Sequence, residues 1–177
     1  MTGLNRGVGK VEIALSWDPS PLGAPPHDLD LIAATYPADD PRGEPAYLVH
    51  FDSRSPDGTI TLQRHSQTGQ GFGADEVLTL EFTRLAAAYG RVVVGVAIQQ
   101  GDGRRTFGEV ARTAVQIREG YDELAADDFA GVADATAATV AEFVREESGT
   151  WVFRPVVHGF DADPAAFAAL MGTVPAG

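Results

Sequence analysis

The sequence predicts a mainly β protein: an antiparallel β-sandwich finished by a short C-terminal helix. Three observations carry that expectation. Apolar residues recur with a period of two along most of the chain. Short glycine- and proline-containing turns separate the alternating runs. One run, "RVVVGVAI", is apolar on both faces and so belongs in the middle of a sheet.

Taken in order, "VEIALSW" places Val11, Ile13, Leu15 and Trp17 on one face and Glu12, Ala14 and Ser16 on the other. "HDLDLIAATY" opens the next strand. "AYLVHF" aligns Tyr47, Val49 and Phe51, "TITLQ" pairs Ile60 with Leu62, and "LTLEF" sets Leu78, Leu80 and Phe82 against Thr79 and Glu81. "RVVVGVAI", "TAVQIR" and "TWVFR" continue the series. "SPDG" (Ser55 to Gly58) carries proline and glycine where a type I turn wants them. "DATAATVAEFVREE" is alanine-rich and open to a helical reading; we assign it as a strand paired with "TWVFRP" across Ser148-Gly149. "DPAAFAALMG" reads as the helix, with Asp163 as N-cap, Pro164 in the first turn and Gly172 at the C′ position. No internal repeat or linker divides the chain, so residues 1–177 are expected to form a single domain.

Composition narrows function. The 177 residues contain no cysteine, which excludes disulfides, thiolate metal sites and a cysteine nucleophile. A net charge of −12 makes nucleic acid a poor partner and suits cations, although acidic surfaces also simply keep proteins soluble. No apolar run has the length of a membrane span, so direct membrane insertion is not expected and the protein is placed in the cytoplasm. No nucleophile elbow, P-loop or dinucleotide fingerprint is present, so an enzyme is not expected.

The acidic candidates are Asp28, Asp30, Asp52, Asp75 and Glu76. Asp28 and Asp30 lie two apart in an extended segment, so both carboxylates leave the same face roughly 6–7 Å apart. Such a pair repels unless a cation, a basic group or water separates it. Asp75 and Glu76 close the glycine loop "TGQGFGADE", and Asp52 opens a loop after Phe51. Asp57 has a turn role available to it. His27 and His65 flank the acidic candidates, but no histidine spacing supports a zinc site.

Taken together, "WD" (Trp17, Asp18), "DLDLIA" (Asp28 to Ala33), "SPDGTI" (Ser55 to Ile60), "TGQGFGADEVLTLEF" (Thr68 to Phe82), "TFGEV" (Thr106 to Val110) and "WVFRPVVHGF" (Trp151 to Phe160) resemble the TerD family of tellurium-resistance and stress-response proteins. The resemblance spans nearly the whole chain, and the order of its blocks is specific. It implies a non-enzymatic β-sandwich that binds calcium through acidic loops at one end and works with protein partners of unknown identity. The family loop reads roughly Gly-Asp-Asn-Arg-Thr-Gly-Glu-Gly-Asp-Gly-Asp-Asp-Glu. Here Arg64, His65, Ser66, Gln70, Phe72 and Ala74 stand at its first Gly, Asp, Asn, Glu and two further Asp positions, while Asp75 and Glu76 are retained. Thinned carboxylates imply weaker calcium binding or one ion in place of two. The alternative is an interaction module with a degenerate metal site, offering Phe72 to a partner.

Overall fold

A computed structural model describes residues 7–71, 73–101 and 103–175. Two five-stranded antiparallel sheets face each other. The first runs β4-β5-β1-β7-β8, with β1 at Lys10–Ser16, β4 at Ile60–Arg64, β5 at Glu76–Glu81, β7 at Ala114–Glu119 and β8 at Asp122–Asp127. The second runs β10-β9-β6-β2-β3, with β2 at Leu29–Pro37, β3 at Tyr47–Val49, β6 at Tyr89–Ile98, β9 at Ala137–Arg145 and β10 at Trp151–Phe160. The sandwich expected from the period-two pattern is the fold observed.

Alternation explains how the sheets close on each other. Val11, Ile13, Leu15 and Trp17 point into the space between the sheets, where they meet Leu78 and Leu80 from β5 and Leu29 and Leu31 from β2. β6 is central, as its two-faced apolarity predicts. Val92, Val94, Val96 and Ile98 enter this main core, while Val93 and Ala97 enter a second one on the outer face of the same sheet. Helix α1 (Pro164–Leu170) and the turn after it cover that outer face with Phe167, Met171 and Val174. Gly95 makes this approach possible, since a Cβ there would run into the Phe167 ring. The alanine-rich run forms β9 and pairs with β10 across a turn in which Gly149 has φ +89°.

Three details differ from expectation. The Asp163 cap is present, its Oδ1 accepting from Ala166 N at 2.8 Å, but Gly172 does not end the helix in a left-handed conformation. The chain passes into a 3-10 turn at Met171–Thr173, and Gly172 serves instead to leave room for the Tyr36 ring. β8, "DELAAD", is a sheet edge whose polar and small residues carry no strand signal. β3 stops at Val49, so Phe51 lies beyond the strand and is exposed. This short β3 matters for the site. It pairs only with Ala33 to Thr35 and leaves the first residues of β2 uncovered along that edge.

Candidate metal centre

The uncovered edge lies where β2 and β5 begin and where β4 ends. Three of its side chains converge there: Asp30 from β2, Glu76 from β5 and His65 from just after β4. One potential ligand atom from each lies within 4.8 Å of the others.

Glu76 is fully buried. It occupies a core position, sharing its strand face with Leu78 and Leu80. Its Oε1 accepts from Leu31 N at 2.7 Å, an amide that short β3 leaves without a ladder partner on that side. Its Oε2 contacts His65 Nδ1. Asp30 is equally enclosed. Its Oδ2 accepts from Gln99 Nε2 at 2.7 Å, while Oδ1 has no hydrogen-bond partner and lies 3.6 Å from His65 Nδ1. Asp28 adds a third carboxylate, and its Oδ1 is likewise buried without a partner.

Burial works against the charged form of these carboxyls. Burial pushes the Glu76 carboxyl up to about 10, against the Leu31 amide, and the Asp30 and Asp28 charges add to the rise. Asp28 is pushed up to about 7 by burial and then by Asp30. Asp30 is also raised, burial outweighing the Gln99 hydrogen bond and the His65 ring. With no cation present, neighbouring carboxyls in such a pocket retain protons because too few positive groups face them.

Asp75 is buried too, but strand alternation turns it away from Glu76. Its Oδ2 accepts from Trp17 N at 2.8 Å. It lines a separate shallow hollow with Asp18, Gly69, Gly71, Gly73 and Arg112, where Arg112 lies 3.7 Å from Asp18. Gly69, Gly71 and Gly73 all have positive φ, the conformation for which glycine is suited. Burial raises the Asp75 carboxyl, with the Trp17 amide opposing. Asp52 is exposed in the turn after β3, its backbone N donating to His50 Nδ1 at 3.2 Å. That turn places Phe51 flat against the His65 ring, centroids 5.2 Å apart and planes 13° from parallel. Asp57 has the turn role allowed for it, its Oδ1 accepting from Thr59 N and Oγ1. Phe72 lies outside the described residues.

The structure thus groups Asp30 and Glu76 with His65, leaves Asp28 near enough to act on both carboxyls electrostatically, and puts Asp75 in a separate hollow and Asp52 in an exposed turn. Sequence reasoning missed His65 and Gln99 as members of the centre. A register shift between Leu62 and Arg64 precedes His65, and such an irregularity is not visible in residue types.

The centre passes a simple test for a cation. Among the described residues, Asp28 Oδ1 and Asp30 Oδ1 are buried with no hydrogen-bond partner by geometry, and the carboxyl groups outnumber the single imidazole beside them. A divalent ion beside Asp30 would supply the missing positive charge.

Fold and centre together define a class: an antiparallel β-sandwich with a carboxylate–histidine centre at one end of its sheets. The chain belongs to the TerD family, whose TerD domain profile matches residues 1–170. It is 26% identical to the tellurium resistance protein TerD of an Alcaligenes species, over 92% of this chain and 86% of that one. It is 27% identical to the uncharacterized protein YceE of Bacillus subtilis, over 94% of this chain and 89% of that one. Among solved structures, a homologue of telluride resistance protein (TerD) from Streptomyces coelicolor A3(2) is 57% identical with a TM-score of 0.94, covering 96% of this chain and 100% of that one. No helix among the described residues is long and apolar enough to cross a membrane.

Proposed function

We propose that this chain is a non-enzymatic, cytoplasmic, divalent-cation-binding protein of the TerD stress-response type, and that calcium is among the ions it binds. The observation that carries this reading is the pair of buried, unpartnered oxygens on Asp28 and Asp30 beside the buried Glu76 carboxyl. Tellurium resistance is the role named for the TerD relatives of Alcaligenes and Serratia marcescens, and calcium is the ion the family resemblance implies. Asp28, Asp30 and Glu76 are the ligands of the principal ion. Asp75, with backbone carbonyls of the glycine loop, supports a second, weaker site, and Asp52 contributes at the rim.

Calorimetric titration of chelator-stripped protein tests the reading. Calcium should bind with a dissociation constant of roughly micromolar to millimolar, as expected for a site with few charged ligands. Asp30→Asn should abolish the principal event. A wild-type protein indifferent to every divalent cation would favour the second reading, an interaction module with a degenerate site. The exposed Phe51 ring beside His65 is the feature that favours it.

A further inference from the structure

The histidine in the centre bears on which ion the site prefers. Calcium takes a shell of about 6–8 oxygens and has little use for nitrogen. Imidazole suits zinc, nickel, copper and iron, whose shells are smaller. The donor atoms still free in this centre are few. Glu76 Oε1 is engaged by Leu31 N and Asp30 Oδ2 by Gln99 Nε2. Of the rest, Glu76 Oε2 and His65 Nδ1 contact each other, Asp30 Oδ1 lies 3.6 Å from that nitrogen, and the three residues each offer a ligand atom within 4.8 Å of the others.

The spacing also suits a small ion. Ligands held about 2.0–2.2 Å from one ion lie no more than about 4.4 Å apart. His65 Nδ1 lies 3.6 Å from Asp30 Oδ1, inside that limit, and its direct contact with Glu76 Oε2 is the one an entering ion would replace. Each ligand is steadied from behind: Asp30 by Gln99, Glu76 by the Leu31 amide and the His65 ring by the Phe51 face. Such supporting contacts orient metal ligands and raise affinity.

We propose that this centre binds a first-row transition dication, with Asp30, Glu76 and His65 as ligands, in preference to calcium. The proposal rests on the reading that the cluster holds a divalent cation, and it names the class of ion. Calcium remains a weaker competitor for the same carboxylates. His65 is the residue that sets the preference.

The experiment uses the full chain, stripped with chelator, and cobalt(II) as the probe beside calcium. Affinities are read by tryptophan fluorescence competition and ligand type by the visible spectrum of bound cobalt. Wild-type protein should bind one cobalt ion about a hundredfold more tightly than calcium, following the preference of nitrogen-containing sites. His65→Ala and His65→Gln should each weaken cobalt by about tenfold or more and alter its spectrum, with calcium affinity changed less than about threefold. His65→Asp should shift the ratio towards calcium. Calcium binding as tight as cobalt in the wild type, or an unchanged ratio in the three variants, would overturn the proposal while leaving the divalent-cation reading standing. Binding of neither ion would overturn both.

Discussion

Two buried glutamates sit in opposite electrical surroundings. Glu142, on β9, is 4% exposed and Glu76, on β5, is 0% exposed. Burial alone raises both. At Glu142 the arginines reverse it: Arg154 and Arg91 hydrogen-bond the carboxylate, Arg91 Nε at 2.6 Å and Arg154 Nε at 2.9 Å, and hold it below its usual range. Arg42 stands 3.8 Å away. Among the described residues no arginine or lysine pairs with Glu76, and the nearby acids drive its carboxyl further up. The first glutamate is part of the scaffold. Its arginines also grip the C-terminal segment, with Arg91 donating to Gly172 O, Arg42 to Val174 O and Arg154 to Pro175 O. The second sits among acids, in the group with Asp30 and His65 that could hold a metal ion. The lesson is that burial does not mark a binding site; burial without a countercharge does.

The largest expected effect breaks the satisfied side. Glu142→Ala strands the buried Arg91 guanidinium, a change that costs about 3–5 kcal/mol. At roughly 2–4 °C per kcal/mol for a chain of this size, the melting temperature should fall by about 6–20 °C. Calcium should not rescue the lost contacts. A fall of less than about 2 °C in differential scanning calorimetry would show that Glu142 is not the keystone the geometry makes it.

Filling the unsatisfied side comes next. An ion present at a hundred times its dissociation constant stabilises the folded state by about 2.7 kcal/mol, which raises the melting temperature by about 5–10 °C. Asp30→Asn should remove that response, and Glu142→Ala should keep it from its lower baseline. An Asp30→Asn protein with a full response would move the ion elsewhere.

A pH comparison sharpens the contrast without any ion. Asp28 has a folded-state pKa of about 7, raised from an unfolded value of 3.8. Between those values the folded chain holds a proton that the unfolded chain has released, so stability falls as pH rises through the window. Asp28→Asn removes this loss. In chelator, the variant's advantage over wild type should therefore grow from pH 4 to pH 7 and level off above, since Asp28 is then ionised in both states. His27, whose pKa is lowered by burial and Arg105, is common to both proteins and cancels in the difference. An advantage that stays flat between pH 4 and pH 7 would sink the argument.

The sandwich was legible because period-two burial leaves a direct trace in residue types. The chain from Val11 to Trp17 needs no more than its own alternation to find its inward face. The choice of strand over helix for Ala137–Arg145 rested on its partner across Ser148-Gly149, a tertiary argument that its composition alone could not supply. The carboxylates were visible as residue types, yet their grouping was not. Adjacent Asp75 and Glu76 look like one ligand pair in sequence, and strand geometry sends them to different places. His65 joined the centre after an irregular register, and Gln99 through a contact across 69 positions, neither of which has a local signature.

The smallest expected effect tests that separation of Asp75 from Glu76. Asp75 Oδ2 accepts from Trp17 N at the end of β1, and Asp75 N donates to Leu15 O at 2.8 Å, so its side chain fastens the glycine loop to a core strand. Asp75→Asn keeps an oxygen acceptor for Trp17 N but exchanges a charged hydrogen bond for a neutral one. The difference is about 1 kcal/mol, or roughly 2–4 °C in melting temperature. Because Asp75 faces the hollow beside Asp18 and Arg112, the ion proposed at the Asp30–Glu76 centre should bind the variant with unchanged affinity. Only the weaker second event should fade from a calcium titration. Glu76→Gln, one residue along, should do the reverse: it removes a ligand from the principal ion and leaves the second event in place. Loss of the principal ion in Asp75→Asn would mean that the two neighbours act on one ion after all, and that alternation along β5 does not divide them.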